Sequence, residues 1–227
     1  MTALIDTWST DASEEDSMTD EHAWIWREMI RAIPADDISG AHVLDIGCNQ
    51  GGYLRTLYDT RPFARGVGVD IARDRVALAE AQKGDRPLTY IAATEARAAG
   101  SGFEMAFSHE VIYLIDDLEA HGRDVFDALA PGGHYDAVTC CHRDNPLWST
   151  WRPRIAQFSN VPVPNHSVAD IAGAFRAAGL QVSIARFLAA AFIPTFEPTE
   201  YFPSNNERVE VYARWKLCFR CTRPLAS

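Results

Sequence analysis

The stretch Val43-Leu44-Asp45-Ile46-Gly47-Cys48-Asn49-Gln50-Gly51-Gly52 constrains this chain more than any other. Apolar positions lead into an acid, and a glycine-rich loop then precedes helix-compatible sequence over 53–58. That order reads as a buried strand, a tight turn and the start of a helix. Glycine in such a turn permits φ > 0 and leaves no Cβ between a ligand and the backbone. The helix start presents free N–H groups, which favour a carboxylate or phosphate. Arg65-Gly66-Val67-Gly68-Val69-Asp70 reads as a second strand with an acid at its carboxyl end. In a nucleotide-binding βαβ unit that position accepts hydrogen bonds from ribose hydroxyls.

The loop chemistry discriminates between adenosine cofactors. A dinucleotide fingerprint needs a second glycine to admit a pyrophosphate, and Asn49 stands there instead. Asn tolerates the left-handed conformation better than most residues. Asp45 would repel a pyrophosphate but orient a cationic amine. S-adenosylmethionine (SAM) carries an amine, a carboxylate, a sulfonium and a ribose, with no phosphate, and so suits the loop better than NAD.

The chain resembles a class I SAM-dependent methyltransferase of the small-molecule, single-domain type. Residues 43–52 look like the family's first motif and 66–70 like its second. Phe103-Glu104-Met105-Ala106-Phe107-Ser108-His109 looks like its fourth strand, and Leu129-Ala130-Pro131-Gly132-Gly133 is similar to the turn entering the fifth. The resemblance implies a Rossmann-like α/β fold. Its seven-stranded, mostly parallel sheet has helices on both faces and an antiparallel last strand. It covers roughly 40–185 and returns near 209–221.

Length and charge narrow the partners. At 227 residues and 47% hydrophobic, the chain suits one globular α/β domain over 1–227. Its 21 basic against 31 acidic residues give −10, the wrong sign for a general nucleic-acid binder. No apolar run reaches membrane-spanning length, and 1–20 lacks the layout of a secretion signal. A cytoplasmic enzyme is the default reading. The five cysteines read as reduced thiols, and no metal site is expected.

Residues 1–20 read equally as a solvated tail or, given Trp8, as a lid over the substrate. An amphipathic helix is expected over 20–33 with Asp20 as its cap, so that 1–35 form a lid and helix. Strands are expected over 42–47, 65–69, 88–92, 103–108, 134–139, 180–188 and 209–221. Helices are expected over 52–60, 72–82, 118–129 and 168–178, the last closed by Gly179. Two stretches rich in aromatics and proline, 143–166 and 189–208, break the rhythm and read as substrate cover. The alternative is an oligomer interface, such as a homodimer's.

Ligands of such sheets bind beyond the carboxyl ends of the strands. The cofactor set at that edge is Asp45, Gly47, Cys48, Asn49, Gly51, Asp70 for the ribose, Ile71 against the adenine, and Ser108; the resemblance implies an acid near the adenine amine after the third strand, where Thr94 or Glu95 stands. Methyl transfer needs the acceptor placed in line and, where required, a proton removed. His109, His142 and Tyr113 are the catalytic candidates, ahead of Glu110, Asp116 and His166. The expected reaction is SAM-dependent methylation, at oxygen or nitrogen, of a small aromatic or heteroaromatic acceptor, with a role in natural-product biosynthesis. The alternatives are a C- or S-methyltransferase, a SAM-fold cyclase, a SAM-binding regulatory subunit without turnover and, more distantly, an NAD-dependent oxidoreductase.

Overall fold

The computed structural model describes residues 3–9 and 12–225, with side chains of the second stretch from residue 22 onward. Seven strands form one sheet: β1 His42–Ile46, β2 Arg65–Asp70, β3 Leu88–Ala92, β4 Phe103–His109, β5 Leu129–Thr139, β6 Gln181–Arg186 and β7 Leu217–Thr222. Their order is β3-β2-β1-β4-β5-β7-β6. The first five run parallel, and β7 lies antiparallel between β5 and β6. This is the Rossmann-like arrangement that the resemblance implies.

Helices cover both faces. On one face α1 (Ala12–Arg31), α2 (Gly52–Thr60) and α3 (Arg73–Gln82) bring Met29, Ile30, Leu54, Leu57 and Val76 against Val43, Met105 and Phe107. On the other, α4 (Leu118–Ala128) and α6 (Val168–Ala177) bring Val125, Ile171 and Phe175 against Leu44, Ala106 and Tyr135. Strand alternation divides the two cores, since successive side chains point to opposite faces. Across β5 and β7, Asp136 takes a two-pronged bond from Arg220, Nε to Oδ1 at 2.8 Å and Nη2 to Oδ2 at 2.7 Å.

A third apolar cluster lies apart from the sheet. It joins Trp148, Trp151 and Ile155 of α5 (Trp148–Phe158) with Val163, Tyr113 and Val211 of α7 (Asn205–Arg214), and with Tyr201 and Phe202. The stretches 143–166 and 189–208 thus pack on one another, as a structured cap. Residues 3–9 form a strap across it. Ile5 N–H donates to Ile71 O at 3.0 Å, and Asn160 N–H to Trp8 O at 2.9 Å.

Several boundaries differ from expectation, among them the fifth strand, which begins at Leu129 rather than at 134. Residues 209–214 are helical and only Leu217–Thr222 forms the last strand. The β-branched Val209 and Val211 favour a strand, but Ser204 caps a helix there, its Oγ accepting from Glu207 N–H at 3.2 Å. The first helix begins at Ala12, so Asp20 lies within it rather than at its start. The sixth strand is shorter, Gln181–Arg186. Gly179 closes α6 as expected, at φ 92°. No helix among the described residues is long and apolar enough to cross a membrane.

Candidate active site

The glycine loop after β1 is held by its own backbone. Gly47 and Cys48 N–H both donate to Val69 O, at 2.8 and 3.0 Å, and Gly51 N–H to Cys48 O at 2.8 Å. Gly47, Asn49 and Gly51 all have positive φ, at 73°, 45° and 72°. A Cβ on Gly47 would lie 2.3 Å from Val111 Cγ2, and one on Gly51 2.4 Å from the Tyr90 ring. The glycines therefore answer to crowding from within the protein as well as to the turn.

Two carboxylates flank this loop. Asp70 accepts from Asn49 N–H and Ala72 N–H, both at 2.9 Å. Asp45 is 4% exposed, and its carboxyl has no hydrogen bond or ion pair among the described residues. Burial, and secondarily the charge of Asp70, push its carboxyl up to about 8. Burial also raises Asp70, against the pull of its backbone donors. Two buried acids without a cation between them form a receptor for a ligand bearing an amine and hydroxyls.

Both acids open onto a cavity of ≈ 690 Å³ at the carboxyl edge of the sheet. Asp45, Gly47, Cys48, Asn49, Asp70, Ile71, Thr94, Glu95, His109 and Tyr113 line it. Gly51 stands behind the lining, its carbonyl accepting from Tyr90 Oη at 3.0 Å. Four other candidates lie elsewhere. Ser108 Oγ meets Tyr135 Oη at 2.6 Å in the α4–α6 core, because alternation turns it away from the cavity. His142 is fully buried outside the cavity, its Nε2 bonded to Trp215 O at 2.9 Å. His166 Nε2 bonds Ile115 O at 2.8 Å. Asp116 is exposed, and its neighbour Asp117 caps α4.

The cavity floor holds an unanticipated cluster. Lys216, 1% exposed, places Nζ 2.5 Å from Glu110 Oε1 and 2.8 Å from His109 Nε2. Glu110 has φ 53° and also accepts from Thr139 Oγ1 at 2.6 Å and Cys140 N–H at 3.0 Å. Burial alone would raise its carboxyl, but the Lys216 charge and these donors outweigh that and hold it near 2. Lys216 is raised above the usual ammonium range: burial opposes the charge, and Glu110 more than compensates. Burial, then the Lys216 charge, hold His109 well below the ordinary imidazole range. His22, whose ring sits edge-on to His109 at 4.5 Å, falls to about 4 for the same reasons. With a charged Lys216 donating to Nε2, the neutral His109 carries its proton on Nδ1.

Sequence reasoning ranked Glu110 low and overlooked Lys216. Its signal was present: a lone cation in the otherwise apolar run over 215–219. Ligand atoms of Glu110, Cys140 and Cys141 lie within 4.8 Å of one another. In the structure the Glu110 carboxylate is paired with the Lys216 ammonium. All five cysteines are buried and free.

Comparison with known proteins identifies the family and the fold. A family model described as a methyltransferase domain matches residues 21–183. A ubiquinone biosynthesis O-methyltransferase of Methylobacterium sp. (strain 4-46) is 32% identical over 108 residues, which are 46% of this chain and 43% of that protein. The match thus spans less than half of the relative. Among solved structures, a chain from the complex of the Haloferax volcanii Trm112 methyltransferase activator with a methyltransferase superposes with TM-score 0.79. It is 21% identical, over 95% of each chain. A SAM-dependent methyltransferase from Mesorhizobium loti has TM-score 0.61 at 19% identity, over 92% of this chain and 99% of that one. At these identities the structures share the fold.

Proposed function

The chain belongs to the SAM-dependent methyltransferases, and from that premise we propose that it methylates oxygen or nitrogen of a small aromatic or heteroaromatic molecule. SAM is the cofactor. One observation carries the acceptor reading: the acid-flanked loop and a wall of aromatic rings, among them Trp24, Tyr113, Trp151, Phe202 and Tyr212, belong to one cavity. Aromatic walls recognise planar apolar ligands through offset and edge-on contacts. A cavity of ≈ 690 Å³ has the size of a small-molecule site.

Asp70 holds the ribose hydroxyls and Asp45 the amine, whose positive charge relieves the two buried acids. The loop over 47–51 leaves room for the methionine portion, Ile71 packs on the adenine, and Thr94 or Glu95 meets its amine. Bound SAM supplies the electrophilic methyl group. His109 orients the acceptor through Nδ1–H, because its Nε2 is engaged by Lys216. An acceptor ionised before it binds needs no protein base, which suits a cavity whose His109 is neutral and bonded to Lys216. The strap over 3–9 covers the bound molecules.

The test is calorimetric titration with SAM and S-adenosylhomocysteine, followed by a screen of phenols and nitrogen heteroaromatics read by product mass. Saturable binding with a product heavier by one methylene supports the reading. Cofactor binding without any methylated phenol or heteroaromatic overturns it.

A further inference from the structure

The cavity lining contains four lysine and arginine side chains, and three of them face a carboxylate. Arg75 faces Asp74 at 3.3 Å, Lys216 faces Glu110 at 2.5 Å, and Arg154 faces Glu200 at 3.5 Å. Arg208 has no carboxylate among the described residues. It is 6% exposed, and its Nη1 is buried without a hydrogen-bond partner there. Its guanidinium lies between the rings of Phe196 and Phe202, 4.4 and 4.8 Å from their centroids. Such faces compensate a buried cation only in part, and an unpaired buried charge is costly. A second buried donor of the same cavity, Trp8 Nε1, also lacks a partner among the described residues.

The position of Arg208 separates it from the cofactor half. Asp45 and Asp70 end β1 and β2, whereas α7 leads into β7, beyond β4 and β5 in the sheet. Arg208 also stands near the N-terminal end of α7, where the helix dipole is positive. A planar guanidinium with free donors matches the two oxygens of a carboxylate or phosphate.

We propose that Arg208 is the receptor for an oxyanion on the methyl acceptor, so that the acceptor class is an aromatic ring bearing a carboxylate or phosphate. The Phe196 ring, 41% exposed on a segment without helix or strand, is the movable side of the sandwich and gives way to the anion. Phe202 on the other side is anchored against Trp151 and Tyr212, at 5.2 Å from each. This proposal rests on the methyltransferase reading above, and its test keeps the two apart.

The full chain, saturated with S-adenosylhomocysteine, is titrated calorimetrically with 4-hydroxybenzoate, phenyl phosphate and the neutral 4-hydroxybenzamide. The same titrations are run on Arg208→Gln and Arg208→Lys. The expected result is that one or both anions bind roughly tenfold or more tightly than the amide. Arg208→Gln removes that preference, and Arg208→Lys keeps part of it. The stronger of the two anions then identifies carboxylate or phosphate. Equal or absent binding of the anions and the amide, or a preference that survives Arg208→Gln, overturns the proposal. Unchanged S-adenosylhomocysteine affinity in the variants shows that they are folded. Failure of the unaltered chain to bind S-adenosylhomocysteine would count against the methyltransferase reading instead.

Discussion

Asp45 makes the stability of the unliganded protein depend on pH in an unusual direction. Its carboxyl titrates near 8 in the folded chain, against about 4 when unfolded. The folded state therefore holds the extra proton. This contribution is complete below the unfolded value and is lost as pH rises through about 8. Asp45→Asn should raise the melting temperature of the unliganded protein at pH 8–9 relative to pH 5. The same change should weaken SAM binding roughly tenfold to a hundredfold, read by calorimetry. The opposite balance holds at Lys216. Replacing it with methionine leaves Glu110 buried and unpaired, and should cost about 3–5 kcal/mol in denaturant unfolding. Glu110→Gln in the same chain should recover part of that loss. The strand-end positions of Asp45 and Asp70 could be read from the chain because each closes an apolar run near glycine. Lys216 could not be assigned to Glu110, because their contact spans 106 positions and nothing local announces it.

At the scale of the element, α7 shows how a strand-like composition is overruled. Val209, Val211 and Tyr212 favour a sheet, but Ser204-Asn205-Asn206-Glu207 carries the spacing of a capping box. The Ser204 and Glu207 side chains do meet, at 2.9 Å. Ser204→Ala should cost about 1 kcal/mol of stability. Because α7 carries Arg208 and Tyr212, the variant should also lose acceptor turnover while keeping its cofactor affinity, a contrast that steady-state kinetics and calorimetry together resolve. Ser108 teaches the complementary lesson. Phe107 packs toward α1 and α2, so the next residue must face the opposite core. Strict alternation, applied one residue further, would have removed Ser108 from the site.

Across the whole molecule, the alternating strands and helices were legible because parallel strands buried on both faces read as apolar runs. The cap was legible only as an interruption. Its cluster pairs residues from 113, 148–163 and 201–215, and such long-range packing leaves no local period. The strap binds both ends of this arrangement, pairing Ile5 with the turn after Asp70 and resting Trp8 on Phe158, ring centres 5.8 Å apart. Removing residues 3–9 should speed the release of S-adenosylhomocysteine severalfold in stopped-flow dissociation and leave the fold intact by circular dichroism. Equal release rates would mean that the strap covers nothing that matters to the product.

The reversed course of β7 has a consequence for how the protein comes into being. Because that strand runs against its neighbours, its beginning, not its end, reaches the ligand edge of the sheet. On the ribosome, every residue assigned to the cofactor half emerges before position 96, whereas the counter-ion of Glu110 arrives 106 residues after it. Glu110 therefore stays without its counter-ion until translation has passed Lys216.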